Sequence, residues 1–205
     1  MEAVDVKLAK TLVFAIIGKV SALVGAVNQG ALHGCLFAAV MRCLLEFCKT
    51  LDFCLVAAVQ AKQEVNELKY PVKLNQGTIV NYKLVSSKTG IDKNSASEAM
   101  NNLSGLHCIE GITGEWMDAF LLRSKTFVKD RKWIKYDEPR MLCLAMMEEV
   151  GELCGVLKFV DDNEDKASCR VYGEIVSEIC DIFIYFCRLA DVCGYFEDIK
   201  KEANV

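Results

Sequence analysis

The sequence predicts an all-α protein, a helical bundle built as a tandem pair of helical units. Three observations carry that expectation. Long stretches place apolar residues three and four positions apart, the spacing of one helix face. Hydrophobic residues make up 53% of the 205-residue chain. Only 2 residues are proline, too few for a turn-rich β-sandwich.

In chain order, residues 8–29 and 35–68 have helical apolar spacing, the second stretch broken near Thr50. From Pro71 onward the composition turns to Ser, Asn, Lys and Gly, which marks an exposed connector. Helices resume at Glu115–Arg131, Pro139–Val160 and Tyr172–Val192, with a short last one to Lys201. Pro139 suits the first turn of its helix, where a missing N–H costs little. The segment "DDNEDKAS" between the second and third of these is a polar loop. The expected units are therefore residues 1–75, a linker over 76–113, and 114–205.

A net charge of -4 argues against a general nucleic-acid binder. The 11 cysteines fall singly at apolar helical positions such as Cys143, Cys154, Cys180 and Cys187, without CxxC pairs. That pattern fits reduced, buried thiols in a cytoplasmic setting rather than a disulfide framework or zinc site. The apolar N-terminal run "TLVFAIIGKVSALVGAV" is interrupted by Lys19, and the next by Arg42, Glu46, Lys49 and Asp52. Neither reaches the roughly 18 uncharged residues of a membrane span, so no membrane partner is expected.

The two halves echo each other. Leu12, Ala15, Val20, Leu23 and Gly25 fall on Leu142, Ala145, Val150, Leu153 and Gly155, and "FCKTLDFC" falls on "FCRLADVC". The acids differ systematically: Glu148, Glu149 and Glu152 face Gly18, Lys19 and Ala22, while Glu178 and Asp181 face Ala39 and Arg42. An internal duplication with the acids lost from its first copy accounts for both patterns.

Residues three or four apart share a helix face, so Glu149 and Glu152 point one way with Glu148 beside them. In the later helix Glu174, Glu178, Asp181 and Tyr185 form one polar stripe, with Ile175, Ile179, Ile182 and Phe186 facing elsewhere. Either motif alone is usually a solvated face. Both together, each set in an apolar helix, would crowd like charges unless a cation sits among them. Oxygen-only ligands suit a hard ion, Mg²⁺ or Mn²⁺, and with it metal-assisted attack of water on a phosphoryl group. Triad hydrolysis finds no support, because neither His33 nor His107 lies near a plausible nucleophile. "SSKTG" lacks the leading glycine of a P-loop.

The EExxE motif followed by ExxD resembles the all-α nucleoside triphosphate pyrophosphatases, the MazG-like superfamily, and most closely its eukaryotic dCTP pyrophosphatase branch. The resemblance rests on "DRKWIKYDEPRMLCLAMMEEVGELCGVLKF" and "SEICDIFIYFCRLADVC" and covers about residues 115–200. It implies Mg²⁺-dependent cleavage of an NTP between the α and β phosphates, giving NMP and pyrophosphate. By motif position Glu149, Glu152, Glu178 and Asp181 would hold the metal, and Glu148 would position or deprotonate water beside Glu149. Trp133, Phe159 and Tyr185 would line the base pocket. Arg131, Lys132 and Lys135 beside Trp133 either attract a triphosphate or form a solvated basic helix end. Ser124 stands where the family commonly has histidine, and Phe159 where it commonly has tryptophan.

Family members continue from the last helix into a Lys-xxx-Asn segment, basic residues and Tyr-Pro. Here Lys200 and Asn204 begin that pattern in the second copy, but its remainder appears in the first, as Lys62, Asn66, Lys69, Tyr70 and Pro71. The expected function is an NTP pyrophosphatase acting on dCTP or a related pyrimidine, with a homo-oligomer or an intrachain pseudo-dimer as its assembly. The alternative is a non-catalytic nucleotide-binding or structural pseudoenzyme of the same fold.

Overall fold

The computed structural model describes residues 6–78, 111–160 and 169–203, and among these all regular structure is helical. The helices are α1 (Val6–Gln29), α2 (Gly34–Thr50), α3 (Leu55–Lys69), α4 (Gly114–Asp130), α5 (Pro139–Leu157), α6 (Cys169–Val192) and α7 (Phe196–Ala203). Single 3-10 turns at Val72–Leu74 and Ile134–Tyr136 follow α3 and α4. The all-α expectation holds. The break near Thr50 is real, and α5 stops at Leu157, just short of the predicted end. Most of the predicted 76–113 linker, the "DDNEDKAS" loop and Asn204 lie outside the described residues.

Helix α6 is the hub because its sequence sorts two faces cleanly. Val176, Ile179, Cys180, Phe183, Phe186, Cys187 and Ala190 are fully buried, while the stripe of Glu174, Glu178, Asp181, Tyr185 and Arg188 is only partly so. Each fully buried Phe or Ile contributes roughly 1.5–3 kcal/mol relative to exposure. Helix α5 packs along α6 through Met146, Val150, Leu153 and Leu157, leaving its glutamates at the margin of the seam.

The remaining helices wrap this pair. Helix α1 pairs with α2 and also packs on α5, burying the stripe Ala9, Val13, Ile16, Val20 and Leu23. Helix α3 leaves its own hairpin and lies on α6, whereas α7 packs chiefly on α2. The α7 junction is seated by Tyr195, whose ring stacks on Phe37 at 4.9 Å and whose hydroxyl donates to Leu32 O at 3.0 Å. Helix α4, capped by Thr113 accepting from Trp116 N at 3.2 Å, docks through Trp116 and Phe120 against Phe183. One contiguous core takes side chains from all seven helices, so the 1–75 and 114–205 segments share it.

Helix ends explain the tight connections. At α1 and α6 a left-handed glycine, Gly30 (φ 67) or Gly194 (φ 80), lets the next N–H reach back to Ala26 O or Ala190 O. The same six-to-one bond closes α2 and α4, but there Asp52 (φ 52) and Lys132 (φ 55) take the left-handed position.

The N-terminal helix differs from expectation in one respect. Despite Lys19, Lys7–Gln29 is long and apolar enough to cross a membrane by length and composition. Its outer face carries Phe14, 74% exposed.

Candidate functional site

Helices α5 and α6 bring Glu149, Glu152 and Glu178 together, one carboxylate oxygen of each lying within 4.8 Å of the others. The i, i+3 spacing on α5 puts Glu149 and Glu152 on one side of the seam, and the polar stripe of α6 supplies Glu178 opposite. Glu149 and Glu178 are half-buried, Glu152 and the neighbouring Glu148 exposed.

Asp181, one turn beyond Glu178, is ion-paired with Lys62 of α3. Lys62 is 2% exposed and also donates to Ser177 Oγ at 2.6 Å. Ser177 escaped the sequence reading, although its position four residues before Asp181 puts it on the same face. Lys69 and Tyr70, at the end of α3, border the same acids: burial lowers the Lys69 ammonium and raises the Tyr70 phenol, and Asp181 and Glu149 act on both.

The electrostatics are those of crowded carboxylates. Burial, then the charges of Asp181 and Glu178, push the Glu149 carboxyl up to about 9. Glu178 is pushed up to about 7 by burial first, with Lys62 opposing and Asp181 and Glu152 adding. Burial would lower the Lys62 ammonium, but Asp181 beside it holds it above its ordinary value. A site whose free acids are driven to take up protons is one that a cation relieves. The donors are all carboxylate oxygens, so the residues present fit a hard divalent ion.

Two concavities flank the acids. The first, a narrow cleft of about 60 Å³ between α3, α4 and α6, is lined by Gln63, Asn66, Ser124, Phe127, Asp181 and Tyr185 among others. Burial, aided by Glu149 and Asp181, raises the Tyr185 phenol well above its usual range. At this cleft Gln63 Nε2 donates to Ser124 Oγ at 3.1 Å, both side chains buried. The second is a shallow groove lined by Glu152, Phe159, Glu174 and Glu178.

The residues expected at the base pocket are thus distributed. Tyr185 lines the cleft, and Phe159, 84% exposed, lines the groove on the other side. Trp133 is buried behind the cleft, edge-on to Tyr70 and Phe127, with its indole N–H donating to Thr78 O at 3.2 Å. Arg131 is 1% exposed and committed to the chain: it pairs with Glu67 at 2.6 Å and donates to Tyr70 O and Phe127 O. Lys200 is held by Asp118 at 2.8 Å on the α4–α7 surface. The structure therefore does not bring Arg131 or Lys200 to the acids. Gln63, missed in the sequence, sits beside Lys62 in the tail motif and could be found only once α3 was known to cross onto α6.

Comparison with known proteins bears on what such a site does. Over 70 residues the chain is 36% identical to dCTP pyrophosphatase 1 of Bos taurus, 34% to that of Homo sapiens and 31% to that of Mus musculus. Each match covers 33% of this chain and 41% of the relative, so the chain spans about two fifths of the curated relatives it matches. No family model matches, and neither does any solved structure.

Proposed function

We propose that this protein is a Mg²⁺-dependent nucleoside triphosphate pyrophosphatase that hydrolyses dCTP or a related pyrimidine nucleotide to NMP and pyrophosphate in the cytoplasm. The observation that carries the reading is the convergence of Glu149, Glu152 and Glu178 beside a cleft, in a chain with partial similarity to dCTP pyrophosphatase 1. Those three glutamates would hold the ion, with Asp181, ion-paired with Lys62, as the fourth acid. When bound, Mg²⁺ (or Mn²⁺) draws electron density from the phosphoryl group and orders its oxygens. Glu148, exposed at the margin, orients water and accepts its proton as the bond between the α phosphorus and the bridging oxygen breaks. Asn66 and Lys69 supply the polar and cationic edge facing the phosphates, while Lys62 holds Asp181.

The crossing of the tails supports an intrachain pseudo-dimer. Helix α3 lies on α6 and α7 on α2, so each half lends its last helix to the other. On the side without acids, Arg42, at the position matching Asp181, pairs with Glu202 of α7 at 2.8 Å. The charges there are reversed, and no carboxylate cage accompanies them among the described residues.

The test is Mg²⁺-dependent release of pyrophosphate and dCMP from dCTP, compared with Glu149→Ala and Asp181→Ala. Turnover that is unaffected by either variant would sink the assignment. A nucleotide-binding pseudoenzyme is the second reading, favoured by the Lys62 ammonium already seated on Asp181. A nucleotide-induced rise in melting temperature with no turnover in any metal would decide for it.

A further inference from the structure

Gln63 and Ser124 are buried polar side chains at the wall of the cleft that also contains Asp181. Gln63 is 9% exposed and Ser124 5%, and each would be costly there without a partner. The bond from Gln63 Nε2 to Ser124 Oγ satisfies half of the carboxamide. Among the described residues, Gln63 Oε1 accepts nothing, and the second N–H of Nε2 donates to nothing. An acceptor and a donor, side by side on one amide plane, thus remain for whatever occupies the cleft. Asp181, the fourth acid of the proposed metal site, lines this cleft together with the aromatic rings of Phe127 and Tyr185, so a flat heterocycle attached to the phosphates is the fitting occupant.

Resting on the nucleotide reading above, we propose that the Gln63 carboxamide, oriented by Ser124, reads the hydrogen-bonding edge of the base and selects a 4-aminopyrimidine over a 4-oxopyrimidine. The cytosine edge offers an exocyclic amino donor beside the N3 acceptor. Gln63 Oε1 accepts from the amine and Nε2 donates to N3, while Ser124 holds the remaining N–H. A uracil or thymine edge presents the opposite order, an acceptor at O4 and a donor at N3. It is matched only if the amide turns over, which breaks the bond to Ser124 unless the hydroxyl reverses its own role. Gln63 comes from the first half of the chain and Ser124 from the second, so base choice depends on α3 being docked across the halves.

The test uses the full-length chain and measures kcat/KM for pyrophosphate release from dCTP and from dUTP with Mg²⁺. Wild type is expected to prefer dCTP. Gln63→Met keeps the side-chain length and removes both hydrogen-bonding groups, and is expected to lower kcat/KM on dCTP by about 10- to 100-fold, with a smaller loss on dUTP. Ser124→Ala frees the amide to turn and is expected to move the dCTP/dUTP ratio towards one. Should Gln63→Met not fold, Gln63→Glu replaces it, keeping the shape and exchanging the donor for an acceptor. The Mg²⁺ concentration for half-maximal rate should stay near wild type in each variant, which separates base reading from damage to the acids. A dCTP/dUTP ratio unchanged by both the Gln63 and Ser124 substitutions, or a wild-type preference for dUTP, overturns the proposal and leaves the pyrophosphatase reading standing. Absence of binding and turnover for every triphosphate in wild type overturns the pyrophosphatase reading itself, and this inference with it.

Discussion

Lys62 on α3 and Asp181 on α6 are ion-paired across the two halves of the chain, with the ammonium almost wholly removed from solvent. A buried pair of this kind is asymmetric in its consequences, because losing one partner strands the other. Lys62→Met is expected to destabilise the metal-free protein by about 3 kcal/mol, read from urea unfolding. Adding Asp181→Asn to it should recover a large part of that loss. A single variant as stable as wild type would mean the ammonium does not offset the acids.

The raised carboxyls set a pH dependence. Glu149 and Glu178 bind their protons more tightly folded, at about 9 and about 7, than in the unfolded chain near 4.5. Between those values the native state carries more protons than the unfolded one, so stability falls as pH rises. The contribution is fully present below about pH 4.5 and is lost through about 7 for Glu178 and about 9 for Glu149. Mg²⁺ competes with those protons, so its affinity should rise from pH 6 to pH 9 with proton release on binding. Calorimetry in buffers of different ionisation enthalpy measures that release. Equal affinity at both ends of the range would contradict the crowding of Glu149 and Glu178.

Removing residues 1–78 strips α1 from α5 and α3 from α6 and leaves Asp181 without Lys62. The remainder is expected to be insoluble or to lose pyrophosphatase activity. Supplying residues 1–78 as a separate chain should restore solubility, as judged by co-purification. A soluble, fully active 79–205 fragment would show that the first half contributes nothing to the site.

Lys132 ends α4 in the left-handed region at φ 55, where a side chain costs about 1 kcal/mol and glycine costs little. The residue is exposed, so Lys132→Gly loses little packing. It is expected to raise the unfolding free energy by about 0.5 kcal/mol, after the greater freedom of glycine in the unfolded chain is subtracted. A lower melting temperature would show that the Lys132 side chain is held by something other than the turn.

The helices were legible because their apolar spacing is strong, and even the Thr50 break was, since Asp52 interrupts the run just where the chain turns. The Glu149–Glu152–Glu178 cluster was legible for the same reason: i, i+3 spacing fixes a face, and two acid-bearing faces in apolar helices have few places to go. What periodicity could not supply was the partner of each face. Arg131 looked like a free cation beside Trp133, but the turn after α4 folds it inward onto Glu67 and Phe127. Phe159 and Tyr185 looked like one pocket, yet they sit in different concavities, because the end of α5 lies beside Glu174 and Tyr185 is about three turns further along α6. Such outcomes depend on how helices cross, which local spacing does not encode.

The crossing of α3 also has a consequence for synthesis. Lys62 leaves the ribosome 115 residues before Ser177, to which it donates. Until then the nascent first half carries an apolar α3 face and a cation with no burial site. Its docking waits on a contact distant in sequence, which slows folding and prolongs exposure of aggregation-prone surface. Helix α3 is therefore made before α4 to α7 but is among the last elements to be fixed in place.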